Sequence, residues 1–428
     1  MDDFLHKIKL LINDTSLRKK LLFVLASLIV FRFLSNIPIP AAAGSNLESL
    51  LQDNNMLGFM NLLTGGGLSA ISIMMLGVGP YITASIIMQL LTVMSAKLKA
   101  LYHEEGEAGK KKFTQISRKL TIVLALLQGF GLILYLQTQD LQTQGAIASL
   151  SLFELLTNVI IVAAGSVLLM WIGELITEFG IGNGVSLIIF AGIVSGVPAS
   201  LSQLSAMFQT QDIPLYLGFV VLAVLIIAGV VMMTEAERPV PVTYAKQIRG
   251  QRSTGGISTY LPLRISQAGV MPIIFALSLL MFPQMIINFL SKMGSESVQL
   301  VATKIGAFLN DTLVSSIIYF VLVFVFTFFY TAVTFDPDAV ATNLQKNGAF
   351  IPGIRPGKST SEYIAKILTR ITLIGAIFLS LVAILPFILQ AVLKNPAMAL
   401  GGTALLIVVS VVIDLVKKIE AQLSLREY

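Results

Sequence analysis

Ten apolar runs of roughly membrane-spanning length, separated by polar and strongly basic stretches, limit what this chain can fold into more than any other feature. A backbone in hydrocarbon has no water to bond, so each run must satisfy its own amides and carbonyls, and over about 20 residues that means an α-helix. Strands of a membrane barrel would alternate apolar and polar residues, and these runs do not alternate. Helices are expected near 21–37, 74–94, 118–137, 153–174, 184–199, 215–234, 269–290, 312–333, 369–391 and 401–417, the fifth being short. Composition agrees: 55% of the 428 residues are hydrophobic and 12% charged, too apolar for a water-soluble globule of this length. The expected class is an all-α membrane protein.

Lys and Arg beside membrane spans stay cytoplasmic. With the N-terminus inside, 25 of the 29 basic residues fall in inside segments; Lys292, Lys304 and Lys394 fall outside, and Arg32 sits within the first helix. Both termini are therefore expected in the cytoplasm. The first run, with basic residues before it and Ala41-Ala42-Ala43 after it, has the outline of a cleaved signal peptide. Arg32 inside the run, Pro38 and Pro40 behind it, and Asp2, Asp3 and Asp14 among the basic residues favour a retained helix. The ten helices divide at the basic loop 235–268. Five spans per half means that the halves enter the membrane from opposite sides, an inverted arrangement that favours a site at their interface. The expected organisation is a cytoplasmic N-terminus (1–20), an N-terminal half (21–199), a C-terminal half (200–417) with long cytoplasmic loops at 235–268 and 334–368, and a cytoplasmic tail (418–428).

Much chemistry is excluded at once. The chain has no cysteine and two histidines, so thiol catalysis, disulfides and thiolate metal sites are out, and His6 and His103 are too few for a histidine-based metal site. No catalytic residue, metal or cofactor is expected. Gly353 to Ser359 resembles a phosphate-binding loop, but three residues separate its glycines where four are needed, no strand precedes it, and Pro356 removes an amide. Gly180, Gly182 and Gly184 join two expected spans and read as a tight helix–helix turn. A secondary transporter would bury ionisable groups at mid-membrane. Here Arg32 lies near the middle of a span, while Glu154, Glu174 and Asp414 lie near ends. An intramembrane enzyme would need a nucleophile with a base, or a metal, and no histidine falls in a span.

The segment Leu62 to Met75 is too short to span and too apolar for an ordinary loop. Gly65, Gly66 and Gly67 give it a flexible start, and Leu68, Ile71 and Ile73 are its apolar members. It reads as a re-entrant segment, since irregular backbone at membrane depth is tolerated where it is buried in protein or faces a cavity; an amphipathic segment lying on the surface is the alternative. The loops 235–268 and 334–368 are basic and rich in Pro and Gly, which suits protruding hairpins.

Eight stretches, in order, carry a specific resemblance: Ser35-Asn36-Ile37-Pro38-Ile39-Pro40, the run Gly77 to Leu91, Gly106 to Lys112, Gly180 to Gly184, Tyr244-Ala245-Lys246, Ser258 to Arg264, Gly348 to Gly357, and Gly401 to Ile407. With them the chain resembles, nearly end to end, the SecY family, the channel-forming subunits of the bacterial Sec translocon. Ala41 departs from the family's usual glycine, Pro239 from a common second basic residue, and 247–252 carries fewer basic residues than many relatives.

The resemblance implies ten helices in two inverted halves around a central pore in the bacterial inner membrane, and a non-enzymatic, cofactor-free channel for unfolded secretory polypeptides. It implies a pore ring of Val78, Ile82, Ile189, Ile193, Ile274 and Ile407, which from composition alone would be ordinary buried aliphatics. It makes the segment 62–75 a plug, and Thr83, Gln89, Asn183 and Ser278 candidates for a lateral gate through which membrane segments leave sideways. It implies partners: small SecE and SecG subunits, the SecA ATPase, the ribosome through its RNA, signal-bearing polypeptides and the lipid bilayer. Lys246, Arg249, Arg252 and Arg355 are the docking candidates for motor and ribosome, the alternative being that these charges only enforce orientation.

Overall fold

A computed structural model describes residues 14–40, 61, 64–103, 105–143, 150–206, 213–244, 247–249, 252–254, 258–267, 269, 271–293, 296–393 and 396–424. Ten of its helices coincide with the ten expected spans. They are α1 (Thr15–Leu34), α2 (Gly79–Met94), α4 (Gly106–Thr143), α5 (Leu152–Phe179), α6 (Gly184–Ala206), α7 (Ile213–Glu235), α8 (Met271–Met293), α10 (Thr312–Thr334), α12 (Lys358–Leu393) and α13 (Pro396–Ser424). Three shorter helices intervene: α3 (Ala96–His103), α9 (Glu296–Asn310) and α11 (Pro337–Lys346). Among the described residues, Gly106–Gln137, Leu152–Phe179, Leu313–Lys346 and Lys358–Leu385 are long and apolar enough to cross a membrane on length and composition, and Gly79–Met94, Gly184–Pro198 and Val220–Glu235 are shorter apolar helices.

Local chemistry sets several helix ends away from the expected bounds. Asp14 caps α1, its carboxylate accepting from Ser16 N at 2.8 Å, so the helix begins before the apolar run and draws in Arg18, Lys19 and Lys20. Ser151 and Glu154 form a reciprocal capping box that starts α5. The second span starts at Gly79 rather than residue 74: Pro80 stands in its first turn, where a missing N–H costs nothing, and residues 64–78 run as consecutive turns. The helix α4 continues the third span back to Gly106, Lys110, Lys111 and Lys112 being good enough helix formers to carry it past the lipid despite Gly109.

Within the N-terminal group α2 packs on α4, α4 on α5 and α5 on α6; within the C-terminal group α8 packs on α10, α10 on α12, and α12 and α7 on α13. The groups meet where α8 lies against α2 and α4, and where α13 lies against α6. The turn between α5 and α6 is as tight as its glycines suggest. A Cβ on Gly184 would fall 1.9 Å from the Gly173 carbonyl oxygen, and Thr177 Oγ1 accepts from Gly184 N at 2.8 Å while donating to Gly173 O.

The two basic loops, expected as separate hairpins, merge into one unit. The strand β1 (Glu237–Tyr244) pairs antiparallel with β4 (Ser258–Arg264), and β5 (Ala349–Phe350) from the second loop joins its other edge, giving the order β4-β1-β5. Between them β2 (Gln247–Arg249) pairs with β3 (Arg252–Thr254). Pro239 faces Pro262 and Pro241 faces Tyr260; prolines two apart fall in the same pairing class, so all three can sit where no ladder amide is required. Val240, Val242 and Leu263 bury against Ala349, Ile351, Ile364 and Ile367, which fixes the sheet to the start of α12.

Candidate functional site

The six aliphatic residues of the expected ring converge. Val78 precedes α2 and Ile82 lies one turn on; Ile189 and Ile193 are one turn apart on α6; Ile274 is on α8 and Ile407 on α13. These four helices all lie where the two groups meet. None of the six is more than 6% exposed, and all belong to one continuous apolar cluster with Met74, Leu187, Phe275 and Val411. Side chains of this type offer an ion nothing to replace its hydration.

On one side of this cluster opens a cavity of about 690 Å³. Ile82, Ile189 and Ile274 form its floor, and its walls carry Tyr81, Ser85, Gln89, Glu107, Lys110, Lys111, Gln115, Arg118, Glu174, Glu178 and Asn183. Arg118 pairs with Glu174, Nε donating to Oε1 at 2.9 Å with Nη2 2.8 Å from Oε2, joining α4 to α5 across the wall. This pair was not singled out from sequence, although opposite charges at the facing ends of two consecutive antiparallel spans are a readable signal.

On the other side lies the segment 64–78. Of the expected plug, Gly65 and Gly66 take left-handed φ of 67° and 82°, open to glycine at little cost. Gly65 is wedged: a Cβ there would meet the Phe31 ring at 2.9 Å and the Gly192 backbone at 3.1 Å. Gly67 accepts from Ser72 N at 2.8 Å, folding the segment on itself. Leu68 and Ile71 are buried in a second apolar cluster with Leu76, Leu132 and Val162, and Ile73 packs against both clusters. Ile71 has φ 42°, a backbone state that costs a β-branched residue about 1–3 kcal/mol. Three contacts hold the segment down: Ile39 N donates to Ile71 O at 2.9 Å, Ile73 N to Ile37 O at 3.0 Å, and Ser166 Oγ to Gly77 O at 2.9 Å. Gly165 lets the chain touch α5, since a Cβ there would lie 2.0 Å from Ile73 O. Leu62, the first residue of the expected segment, lies outside the described residues.

The four lateral-gate candidates divide. Gln89 and Asn183 face the cavity. Asn183 also caps α6, its Oδ1 accepting from Val185 N at 3.1 Å. Thr83 and Ser278 donate to carbonyls of their own helices, Gly79 O and Ile274 O, both at 3.0 Å, so their protons are not spent between helices. Of the docking candidates, Arg355 is exposed on a tight turn fixed by Ile354 N to Ile351 O and Thr360 Oγ1 to Arg355 O, while Ser361 Oγ bonds Asp338 Oδ1 to tie α12 to α11. Arg249 and Arg252 are register partners closing the β2–β3 hairpin. Lys246 lies outside the described residues.

The SecY family model matches residues 72–416. The protein translocase subunit SecY of Streptomyces coelicolor is 42% identical over 425 residues, covering 96% of each chain. That of Halalkalibacterium halodurans is 43% identical over 422 residues, again covering 96% of each. Among solved structures, a protein-conducting channel superposes with TM-score 0.65 at 19% identity, covering 96% of this chain and 93% of its own. A SecY channel studied for its plug domain, which stabilises the closed state and maintains a membrane seal, superposes at 0.64 and 18%, with the same coverage. Sec61 in the canine ribosome-channel complex superposes at 0.61 and 18%, also over 96% and 93%.

Proposed function

This chain belongs to the SecY family, and on that premise we propose that it is the pore-forming subunit of a bacterial inner-membrane protein translocase, passing unfolded polypeptides across the bilayer and releasing apolar segments sideways into it. The observation that carries the reading is that Val78, Ile82, Ile189, Ile193, Ile274 and Ile407, from both helix groups, share one buried apolar cluster between a polar cavity and the segment 64–75. A flexible aliphatic ring seals against ions when empty and closes around any passing side chain, because apolar contact is non-directional. The segment 62–75, of which 64–75 is described, is the plug behind it. The excess of basic residues in these loops supports a cytoplasmic side for the cavity and for both termini.

The seam of α8 with α2 and α4 is the lateral gate. A segment that reaches it partitions by its own chemistry: Leu, Ile, Phe or Val gains about 0.3–0.6 kcal/mol on entering lipid, and a central Lys or Asp loses about 3 kcal/mol. Interhelical polar contacts of about 0.6–2 kcal/mol would bias the seam closed without locking it; Gln89 and Asn183 are the better placed of the four candidates for them. Energy comes from outside the chain, from an ATPase motor of the SecA kind or from a translating ribosome. Both dock on the joined loop unit, where Arg355 offers a bidentate donor to carboxylate or phosphate and Arg249 and Arg252 crown a second hairpin; Lys246 completes the set. Small subunits of the SecE and SecG kind complete the complex.

The test is to replace Ile82 and Ile274 together with glycine and to measure ion flux through the reconstituted complex at rest. A persistent leak is expected, and a membrane as tight as with the parent chain would reject the ring.

A further inference from the structure

Arg32 is an exposed charge in the last turn of α1 that neither ring nor gate uses. It stands two residues before the end of α1, and its own backbone is pinned, its carbonyl accepting from Ser35 Oγ at 2.8 Å and Asn36 Nδ2 at 2.9 Å. Its guanidinium nitrogen Nη1 donates to the carbonyl of Gly65 and, at 3.2 Å, to Ser195 Oγ on α6. Ser195 Oγ donates onward to Gly192 O at 2.7 Å, and Gly192 is the residue against which Gly65 is wedged. One nitrogen thus ties the first turn of the segment 64–78 to α1 and to the turn of α6 that carries Ile193.

Resting on the reading of 62–75 as the plug, we propose that Arg32 is the latch of the closed state, a positioning residue that holds the plug under the ring. A hydrogen bond from a cation to a carbonyl is stronger than the neutral bonds Ile39 N to Ile71 O and Ile73 N to Ile37 O at the other end of the segment. It is also conditional. Arg32 is exposed but Gly65 is buried, so in the closed pore the guanidinium takes the place of water as partner of the Gly65 carbonyl. Once a polypeptide and water enter, the Gly65 carbonyl is hydrated and the bond costs little to break. The plug is thereby held firmly when the channel is idle and released when it is occupied.

The test uses the full chain, purified with its companion subunits and sealed into vesicles, with ion flux at rest as the readout. Five forms are compared with the parent: Arg32→Met, Arg32→Lys, Ser195→Ala, a deletion of residues 64–70, and that deletion combined with Arg32→Met. The latch predicts that Arg32→Met raises resting flux at least about tenfold, the consequence of losing one charge-assisted hydrogen bond. It also predicts that Arg32→Lys and Ser195→Ala leak less than Arg32→Met, and that Arg32→Met adds nothing in the deleted background. A leaking deletion beside a tight Arg32→Met overturns the latch and leaves the plug standing. A tight deletion overturns the plug reading and the latch with it. An increase on adding Arg32→Met to the deletion as large as the increase it causes in the full chain means general damage to the pore and also overturns the latch.

Discussion

Replacing Gly165 with alanine is expected to open the channel in the absence of any substrate. The added Cβ would stand 2.0 Å from Ile73 O and 2.8 Å from its carbonyl carbon, where ordinary contact begins at 3.4 Å. Backbone blocks the new methyl, so no side chain can swing aside, and the turn at 73 must withdraw from α5 by more than about 1 Å. That movement pulls on the two amide bonds to residues 37 and 39, at 3.0 and 2.9 Å, each worth about 0.5–1.5 kcal/mol. Overpacking adds about 1–3 kcal/mol. A destabilisation of the closed state by about 2–6 kcal/mol follows, and at tenfold per 1.4 kcal/mol the open-to-closed ratio rises about 30- to 20,000-fold. The assay is the decay of a potassium-diffusion potential in vesicles holding the purified complex, with Ser166→Ala as a milder companion that loses only the bond to Gly77 O and shifts the ratio about fivefold. If Gly165→Ala inserts, stays folded and holds the potential as well as the parent, contact between 71–78 and α5 is not what keeps the channel shut.

Two further outcomes follow from the same geometry. Arg355→Glu should abolish motor-driven export while the protein still inserts, because the turn at 351–357 is braced by its own backbone and by Thr360 and only the exposed charge changes sign; export by vesicles from the mutant, measured as protection of a precursor from protease, checks this. Arg118→Gln and Glu174→Gln, combined in a double-mutant cycle on thermal unfolding, should show a coupling of about 1 kcal/mol that shrinks in high salt, since the arginine side chain is 47% exposed and its field is screened.

The helices were legible in the sequence because lipid imposes a length and a composition on each span, and Leu152–Phe179 or Thr312–Thr334 can be found from that alone. Their ends were less legible, since caps such as Asp14 and the lysine-bearing extension of α4 obey local chemistry that does not distinguish lipid from water. The convergence of Ile82, Ile189, Ile274 and Ile407 could be named only through the family resemblance; nothing in an isolated isoleucine tells a pore from a packing face. Partners far apart in sequence stayed hidden. Arg32 was visible as a charge in a span, but the carbonyl it bonds lies 33 residues away and the hydroxyl 163 away. The merger of two loops through β5 was equally silent, two residues of strand being too short for any periodicity.

The most direct measurement places a photoreactive residue at Ile193 and stalls a secretory precursor midway through ATP-driven translocation in membrane vesicles. A crosslink between Ile193 and the precursor is the result expected of a polypeptide passing through the aliphatic ring. A stably stalled precursor that gives no adduct at Ile193, no more than an exposed control such as Val221 does, would put the path elsewhere and contradict the account.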